Sequence, residues 1–459
     1  MDPGFRRESS VRHSPLRGWV ARPEVLLLLA LLLLAGEAVG LSAQLDGDLD
    51  AFVIAALAQG AVWVGAAVVV ARGADGRSTF AMIVATAILL RIGALAAPVF
   101  LSDDIYRYIW DGRVQAAGIS PYRYIPTDAH LEPLRDAAIF PNVNRNNYAP
   151  TIYPPVAQMF FFLATRFGES VLVMKLALVA IEAVGICALL QVLRGVGAPR
   201  ENILFYAWHP LPVWEIAGSG HVDAVMVAFV ALALAAAVRC RRAWSGAALA
   251  AASLAKFFPL ALVPALWRPT TANRGDWRWL SAFAAVIIAA YLPYMGVGSR
   301  VFGFLSGYVA EEKLASGSGF WIVEVLRNAV PLPTASYLAL AVAILAGLAI
   351  AALCRPPGPL PSLRWAMILG VATMLLASPH YAWYFVWLAA LLCVAPWWPA
   401  WWPTLAAMLM HLDPTGQIPL WVGFTIYGGF AILACVDIAW RAKRAAGPGK
   451  EPNGSLRSG

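Results

Sequence analysis

Runs of about 20 mostly apolar residues recur along the whole chain, and they constrain its fold more than any other feature. The first of these runs, VLLLLALLLLAG, begins at Val25. Backbone groups in lipid must be hydrogen-bonded within their own segment, so such runs fold as membrane-spanning helices. Charged residues make up only 13% of the chain, against about a quarter in soluble domains. The sequence therefore predicts an all-α fold, a polytopic integral membrane helical bundle with about 12 to 14 membrane helices.

The net charge of +8 comes from basic residues at the two ends of the chain and in short loops between apolar runs. Retention on the cytoplasmic side explains that distribution, and it argues against a nucleic-acid partner. The basic start followed by an apolar run is typical of a signal peptide, but the many later runs favour an uncleaved first helix. The five cysteines lie within or beside apolar runs, so neither a disulfide framework nor a metal site is indicated.

Alternation of basic and acidic loops predicts which side of the membrane each segment occupies. The predicted segments are a cytoplasmic basic arm (1–22), N-terminal membrane helices (23–100), a large extracytoplasmic loop (101–153), a central bundle (154–298), a second extracytoplasmic loop (299–331), C-terminal membrane helices (332–440) and a cytoplasmic tail (441–459). Within the central bundle, residues 154–167 are too short to cross and are expected to dip into the membrane. Residues 243–267 are expected to form two half-helices broken near KFFP, with Lys256 at the apex.

The stretch SDDIYRYIWDGRVQAAG, in the first outer loop, predicts a short helix directly after a membrane span. Ser102 can cap it, Asp103 and Asp104 favour its positive end, and Gly118 ends it before Pro121. Acidic residues at a helix start can simply stabilise the helix. Their place in a long outer loop rich in tyrosine favours a functional role.

The helical period places Asp104, Tyr108 and Asp111 on one face of that helix. Arg107 lies one turn after Asp103 and is expected to pair with it. Two adjacent carboxylates with a positive neighbour titrate differently, which suits one of them to act as a base. Asp104 is expected to have the higher pKa and to be that base.

Further polar residues stand at the outer ends of predicted membrane helices. In NRNNYAPTIYPP, the amides, Arg145, Tyr148 and Tyr153 are residue types that bind or stack on sugars, although they are also ordinary loop residues. In HPLPVWEIAGSGHVDA, Glu215 and His221 precede Asp223 around a Gly-Ser-Gly turn. Acids and a histidine at this boundary either form a hydrogen-bonded network or take part in function, and a single histidine does not indicate zinc.

Lys256 is flanked by apolar residues, so it must reach the interface or find an anion, and a lipid-borne phosphate is a natural partner. His380 and Tyr381, in SPHYAWYF, stand at another helix boundary. A lone histidine among aromatic residues is more often packed than functional. Whether His380 has a functional role depends on the other motifs.

Together, SDDIYRYIWDGRVQAAGISPYRYIP, YPP, HPLPVWEIAGSGHVDA, SLAKFFPLALVPAL and SPHYAWYF resemble bacterial polytopic mannosyltransferases that use polyprenyl-phosphate-mannose. These enzymes are related to the catalytic subunit of the GPI mannosyltransferase. The resemblance runs from about residue 90 to residue 390 and implies a GT-C fold, whose first large outer loop holds the catalytic aspartate.

The resemblance implies transfer of a hexose, expected to be mannose, from a polyprenyl-phosphate sugar to a lipid or glycan acceptor at the outer face of the bacterial plasma membrane. The expected chemistry is an inverting single displacement with Asp104 as general base and Asp103 as its charge-tuning neighbour. No cofactor is expected, and a divalent ion is left open. The expected substrate-binding residues are Tyr106, Arg107, Tyr108, Asp111, Arg113, Tyr122, Tyr153, Glu215, His221, Asp223, Lys256, His380 and Tyr381.

Two other functions fit parts of the pattern. A transporter or flippase of a lipid-linked saccharide should show polar residues through the depth of several helices and an internal repeat, whereas polarity here is concentrated at the outer face. An oligosaccharide ligase or polymerase should have arginine-rich outer loops, but residues 299–331 hold only Arg300 and Arg327.

Overall fold

The computed structural model describes residues 23–268, 276–328, 330–413 and 419–445. The predicted basic arm, residues 1–22, and residues 446–459 of the predicted tail lie outside these ranges. Within the described ranges the chain is helical and contains no β-strand. The fold class predicted from the sequence, an all-α polytopic membrane bundle, is therefore confirmed.

Fifteen labelled helices organise the described residues, and shorter 3-10, π and one-turn segments connect them. They are α1 Pro23–Leu45, α2 Leu49–Ala71, α3 Arg77–Leu95, α4 Asp104–Ala116, α5 Pro155–Thr165, α6 Val171–Gly195, α7 Asp223–Val238, α8 Arg242–Ser253, α9 Trp277–Tyr291, α10 Leu305–Glu311, α11 Trp321–Arg327, α12 Thr334–Leu353, α13 Pro359–Ala377, α14 Val386–Val394 and α15 Gly429–Ala445.

Eight helical runs in the described part of the chain are long and apolar enough to cross a membrane. They are Pro23–Leu45, Leu49–Ala71, Arg77–Leu95, Val171–Gly195, Trp277–Glu311, Thr334–Leu353, Pro359–Ala377 and Leu420–Arg444. Three shorter apolar helices accompany them, Pro155–Thr165, Asp223–Val238 and Ala382–Val394. The difference from about 12 to 14 expected crossings arises because several expected spans are short or broken.

The centre of the bundle is a broken segment followed by α7. Residues 200–218 form a 3-10 turn, two short helical pieces and a π-helix that ends at Gly218, in place of one continuous helix. Pro210 and Pro212 lack backbone N–H groups, so an unbroken helix cannot form here. Nearly all residues from Ile203 to Leu234 are buried, with α6 and α8 packed along α7. The most irregular backbone therefore lies where protein, not lipid, surrounds it.

A second break follows α8, in the region where the sequence predicts one. Helical structure stops at Ser253 and resumes as a 3-10 turn at Phe258. Pro259 follows directly and prevents a continuous helix. Lys256 therefore sits on non-helical backbone between two helical pieces.

The first outer loop folds back on α4 and α5 through polar contacts. Arg113 of α4 donates to Asp136 Oδ2 at 2.6 Å and to Glu169 Oε2 at 2.7 Å. Gly112 lets α4 approach α5 closely, since a Cβ there would lie 2.6 Å from the backbone oxygen of Phe161. These contacts fix the second half of α4 against α5 and the loop that follows α4.

Candidate active site

A cavity of about 720 Å³ opens between the two loops predicted to be extracytoplasmic, the break at Lys256 and residues 377–384. Its wall includes Asp103 and Asp104 at the start of α4, and His380 and Tyr381 on the opposite segment. We call it the polar cavity. Residues from both halves of the chain line the polar cavity.

The start of α4 presents the two aspartates to the polar cavity. The Ser102 hydroxyl accepts from the Asp104 backbone N–H at 3.2 Å, but the N-cap of α4 is Asp103, one residue after the expected cap. The Asn144 side-chain amide donates to Asp104 Oδ1 at 2.7 Å and to Asp103 Oδ1 at 3.1 Å. One amide thus holds both carboxylates. Asp103 is exposed, whereas the Asp104 side chain is only 19% exposed.

Burial raises the pKa of Asp104 above its ordinary value, and the negative charge of Asp103 adds to the effect. The positive charges of Lys256 and Arg145 and the Asn144 hydrogen bond oppose it. A carboxylate with a raised pKa that is still accessible from a cavity is suited to accept a proton. The structure therefore supplies a physical cause for a raised pKa at Asp104, and its role as the base stays a prediction.

The expected pairing of Arg107 with Asp103 is wrong. Arg107 instead donates to Asp111 Oδ1 at 3.0 Å and to the backbone oxygens of Asn144 and Ala149 at 3.2 and 3.1 Å. Arg107 and Asp111 are 3% and 1% exposed, and a buried charge needs a buried partner. Asp103 is the N-cap of α4 and lies outside the helix, towards the cavity. Arg107 and Asp111 consequently hold the loop in place behind the site.

Two cations lie on the cavity wall, and each is paired with a carboxylate. Lys256 Nζ donates to Asp223 Oδ2 at 2.6 Å and lies 4.4 Å from the centre of the Tyr384 ring. The anion that Lys256 was expected to need is thus supplied within the chain. Arg145 donates to Glu311 Oε2 at 2.7 Å and links the first outer loop to α10. Both cations remain on the cavity surface.

A buried row of ionisable side chains runs behind Asp104. His221 Nδ1 lies 4.0 Å from Asp104 Oδ2, and His221 Nε2 lies 3.3 Å from Glu215 Oε2. The other oxygen of Glu215 lies 2.7 Å from His411 Nε2. The His221 ring stacks on Trp383 at 4.1 Å between centroids, which fixes its plane. Glu215 and His221 therefore adjoin the candidate base without lining the cavity.

The structure divides the predicted site residues into three groups. On the cavity wall lie Asp103, Asp104, Tyr153, Lys256, His380 and Tyr381. Buried directly behind that wall lie Tyr108, Glu215, His221 and Asp223. Away from the cavity lie Tyr106, Arg107, Asp111, Arg113 and Tyr122. Tyr122, for example, is 2% exposed and donates to the Tyr153 backbone oxygen at 2.8 Å.

Several wall and neighbouring residues were not singled out from the sequence. Glu312 lies 3.5 Å from His380 Nδ1, and the hydroxyls of Tyr308 and Tyr384 are 2.5 Å apart. His411 approaches Glu215 from the 3-10 segment Ala407–Leu412. The acidic pair in YVAEEK gave a weak signal for Glu312. No sequence motif around His411 indicated a functional role.

Comparison with known proteins adds one match. The family model described as MptA_B family, Alpha-(1->6)-mannopyranosyltransferase, N-terminal domain, matches residues 17–270, more than half of the chain. No curated protein and no solved structure matches. The matched residues include the two aspartates, Asn144 and Lys256, which form one side of the polar cavity. The chain belongs to this family and is a membrane mannosyltransferase of the GT-C type.

Proposed function

We propose that the chain transfers mannose from a polyprenyl-phosphate donor to a hydroxyl of a lipid or glycan acceptor, at the outer face of a bacterial plasma membrane. The observation that carries this proposal is the composition of the polar cavity. A carboxylate with a raised pKa faces the same space as two cations and a partly exposed apolar rim. A sugar held by a lipid phosphate needs each of these features.

The cations and the rim suit the donor. Lys256 and Arg145 can place positive charge beside a phosphate, which strengthens as a ligand once it becomes the leaving group. Phe257 and Leu305 line the cavity and are 43% and 36% exposed, so they can contact the first units of a lipid chain. The tyrosines of the wall offer faces on which a sugar ring stacks.

The proposed reaction is a single displacement at the anomeric carbon. The acceptor oxygen forms the new bond to that carbon as its proton passes to Asp104. The bond from the anomeric carbon to the phosphate oxygen breaks, and the polyprenyl phosphate leaves with the electron pair. If the product has the α-(1→6) linkage in the family's description, inversion requires a donor whose phosphate is β-linked. Asn144 positions the base, and Asp103 raises its proton affinity.

The test uses purified full-length protein in lipid nanodiscs. It is incubated with radiolabelled polyprenyl-phosphate-mannose and a lipid extract of bacterial membranes, and in parallel with a radiolabelled nucleotide-mannose. We expect label to enter an acceptor fraction only from the polyprenyl donor. Transfer from the nucleotide sugar alone would reject the proposed donor class. Absence of transfer from both, with vesicle assays showing movement of the intact donor across the bilayer, would favour a flippase instead.

A further inference from the structure

A second cavity, of about 220 Å³, is lined by three arginines from three separate segments. Arg242 begins α8, Arg268 follows the second helical break, and Arg355 follows α12. We call it the basic cavity. The site described above does not include any of these three residues.

The basic cavity lies at the opposite end of the bundle from the polar cavity. The first residue of α7, Asp223, holds Lys256 at the polar cavity, and the last residue of α7 lines the basic cavity. α8 begins at Arg242 on the basic cavity and ends just before Lys256. α13 begins on the basic cavity, and Ala377 at its end lines the polar cavity. The 19 residues of α13 separate the two cavities by about 28 Å, close to the thickness of a bilayer core.

Arg355 is buried without a carboxylate among its hydrogen-bond partners in the structure. It is 4% exposed and donates to the Ser362 hydroxyl at 3.1 Å and to the backbone oxygens of Pro264 and Ala352 at 2.9 and 2.6 Å. Burial, together with the positive charges of Arg268 and Arg242, lowers the pKa of Arg355 to about 10. The three guanidinium groups therefore repel one another in a partly dry space.

One carboxylate and one helix end complete the electrostatics of the basic cavity. Asp276 Oδ2 lies 3.3 Å from Arg242 Nε, so the described residues at this cavity place three arginines near one carboxylate. α13 begins at this wall after Gly358, which has no side chain to cap the first turn. The positive end of the helix dipole therefore adds to an uncompensated positive charge.

We propose that the basic cavity binds the phosphate group of an anionic lipid headgroup at the face that the basic loops predict to be cytoplasmic. Guanidinium groups match phosphate oxygens in charge and geometry. Basic cavities between helices at this depth are where lipid phosphates are within reach. The apolar part of the wall, including Leu266 and Leu363, favours a headgroup that continues into a lipid over a free ion.

The test compares the full-length protein in phosphatidylcholine nanodiscs that contain increasing fractions of phosphatidylglycerol. The midpoint of thermal unfolding is measured for the wild type, for Arg268→Gln and for Arg242→Gln. We expect the wild-type midpoint to rise and saturate, and both variants to need about tenfold more anionic lipid for half-saturation. Arg268 and Arg242 are chosen because Arg355 is buried and its replacement can prevent folding.

Arg72→Gln is the matched control, since Arg72 is exposed in another basic loop predicted to be cytoplasmic. It should retain the wild-type response. Equal responses of Arg268→Gln and Arg72→Gln would overturn the proposal, because the effect would then be general surface charge. Inorganic phosphate is titrated separately in pure phosphatidylcholine nanodiscs. Saturable stabilisation there, lost in Arg268→Gln, would support a phosphate site but overturn its assignment to lipid.

Discussion

Asp104 has one oxygen held and the other facing a buried histidine. Asn144 donates to Oδ1, while Oδ2 lies 4.0 Å from His221 Nδ1. The hydrogen bond fixes the direction of the carboxylate, and burial together with Asp103 raises its proton affinity. Asn144 therefore sets the position of the Asp104 carboxylate, whereas burial and Asp103 set its proton affinity. Mutations can change the two properties separately.

The first prediction concerns the identity of the base. Asp104→Asn should bind the donor nearly normally but lose turnover by a factor of about 10² to 10⁴, because a positioned base is removed. Asp103→Asn should cost less. Single-turnover transfer by the purified variants measures both, with Asp128→Asn, from the same outer loop but off the cavity wall, as the control. An active Asp104→Asn beside an inactive Asp103→Asn would reverse the assignment.

The second prediction uses the charges around Asp104 to shift the pH dependence of turnover. A base must be deprotonated, so the rate should fall as the pH drops through the pKa of Asp104. Asp103→Asn removes a negative charge that raises this pKa, and the acidic limb should move to lower pH. Lys256→Met removes a positive charge that lowers it, and the limb should move to higher pH. Profiles of kcat at saturating donor test both directions, and two shifts of the same sign would exclude Asp104 as the titrating group.

The third prediction separates the two tasks of Lys256. Lys256→Met should weaken donor binding by about 1.5 to 3 kcal/mol, since a charged hydrogen bond to phosphate is lost. It also leaves Asp223, which is 0% exposed, without its partner and should destabilise the fold. The double variant with Asp223→Asn should recover thermal stability but not donor affinity. Recovery of both in the double variant would limit Lys256 to a structural role.

At the scale of elements, α4 depends on close contact with α5. A Cβ on Gly112 would lie 2.5 to 2.6 Å from atoms of Thr165 and from the backbone oxygen of Phe161, so the helices would have to move apart. The start of α4, where the aspartates stand, would move with them. Packing between these two helices thus controls the geometry of the candidate base.

The fourth prediction follows from this contact. Gly112→Ala should lower the free energy of unfolding by about 1 to 3 kcal/mol, the usual cost of overpacking, and should reduce kcat more than donor affinity. Gly118→Ala is not a suitable control, because Gly118 has φ +76°. Ala117→Ser, on the exposed end of α4, is the matched small change. Wild-type activity of Gly112→Ala would show that α4 tolerates displacement.

The elements that the sequence predicts well are those whose signals are local. The acidic start at Asp103 and Asp104 and the stop at Gly118 placed α4 within a few residues, because both signals act on their own turn. The partners of buried charged side chains could not be predicted from such local signals. Asp223 and Lys256 are 33 residues apart in the sequence. Glu215 and His411 are 196 residues apart. Such pairs form only when the whole bundle packs. Arg107 was misassigned for the same reason, since burial decided its partner.

At the scale of the whole molecule, the orientation in the membrane remains a prediction from the basic loops. Tyr122 is buried and cannot report it, whereas Glu132 in the same loop is exposed. The fifth prediction is that Glu132→Cys, in a background without the native cysteines, reacts with an impermeant thiol reagent in intact cells. Arg72→Cys should react only after permeabilisation. The opposite pattern would invert the topology.

The polar cavity is assembled from residues as far apart in the chain as Asp103 and Tyr384, with His411 behind it. During synthesis, Asp104 and Asn144 leave the ribosome long before the residues that close the opposite wall. A chain interrupted after residue 270 would carry the base and Lys256 but lack His380, Tyr381 and Glu312. We expect such a fragment to lack the enclosed cavity that the proposed reaction needs, so that an incomplete translation product would not consume the donor. We therefore expect activity only after nearly the whole polypeptide has been inserted, so that the order of the chain itself would delay catalysis until the fold is complete.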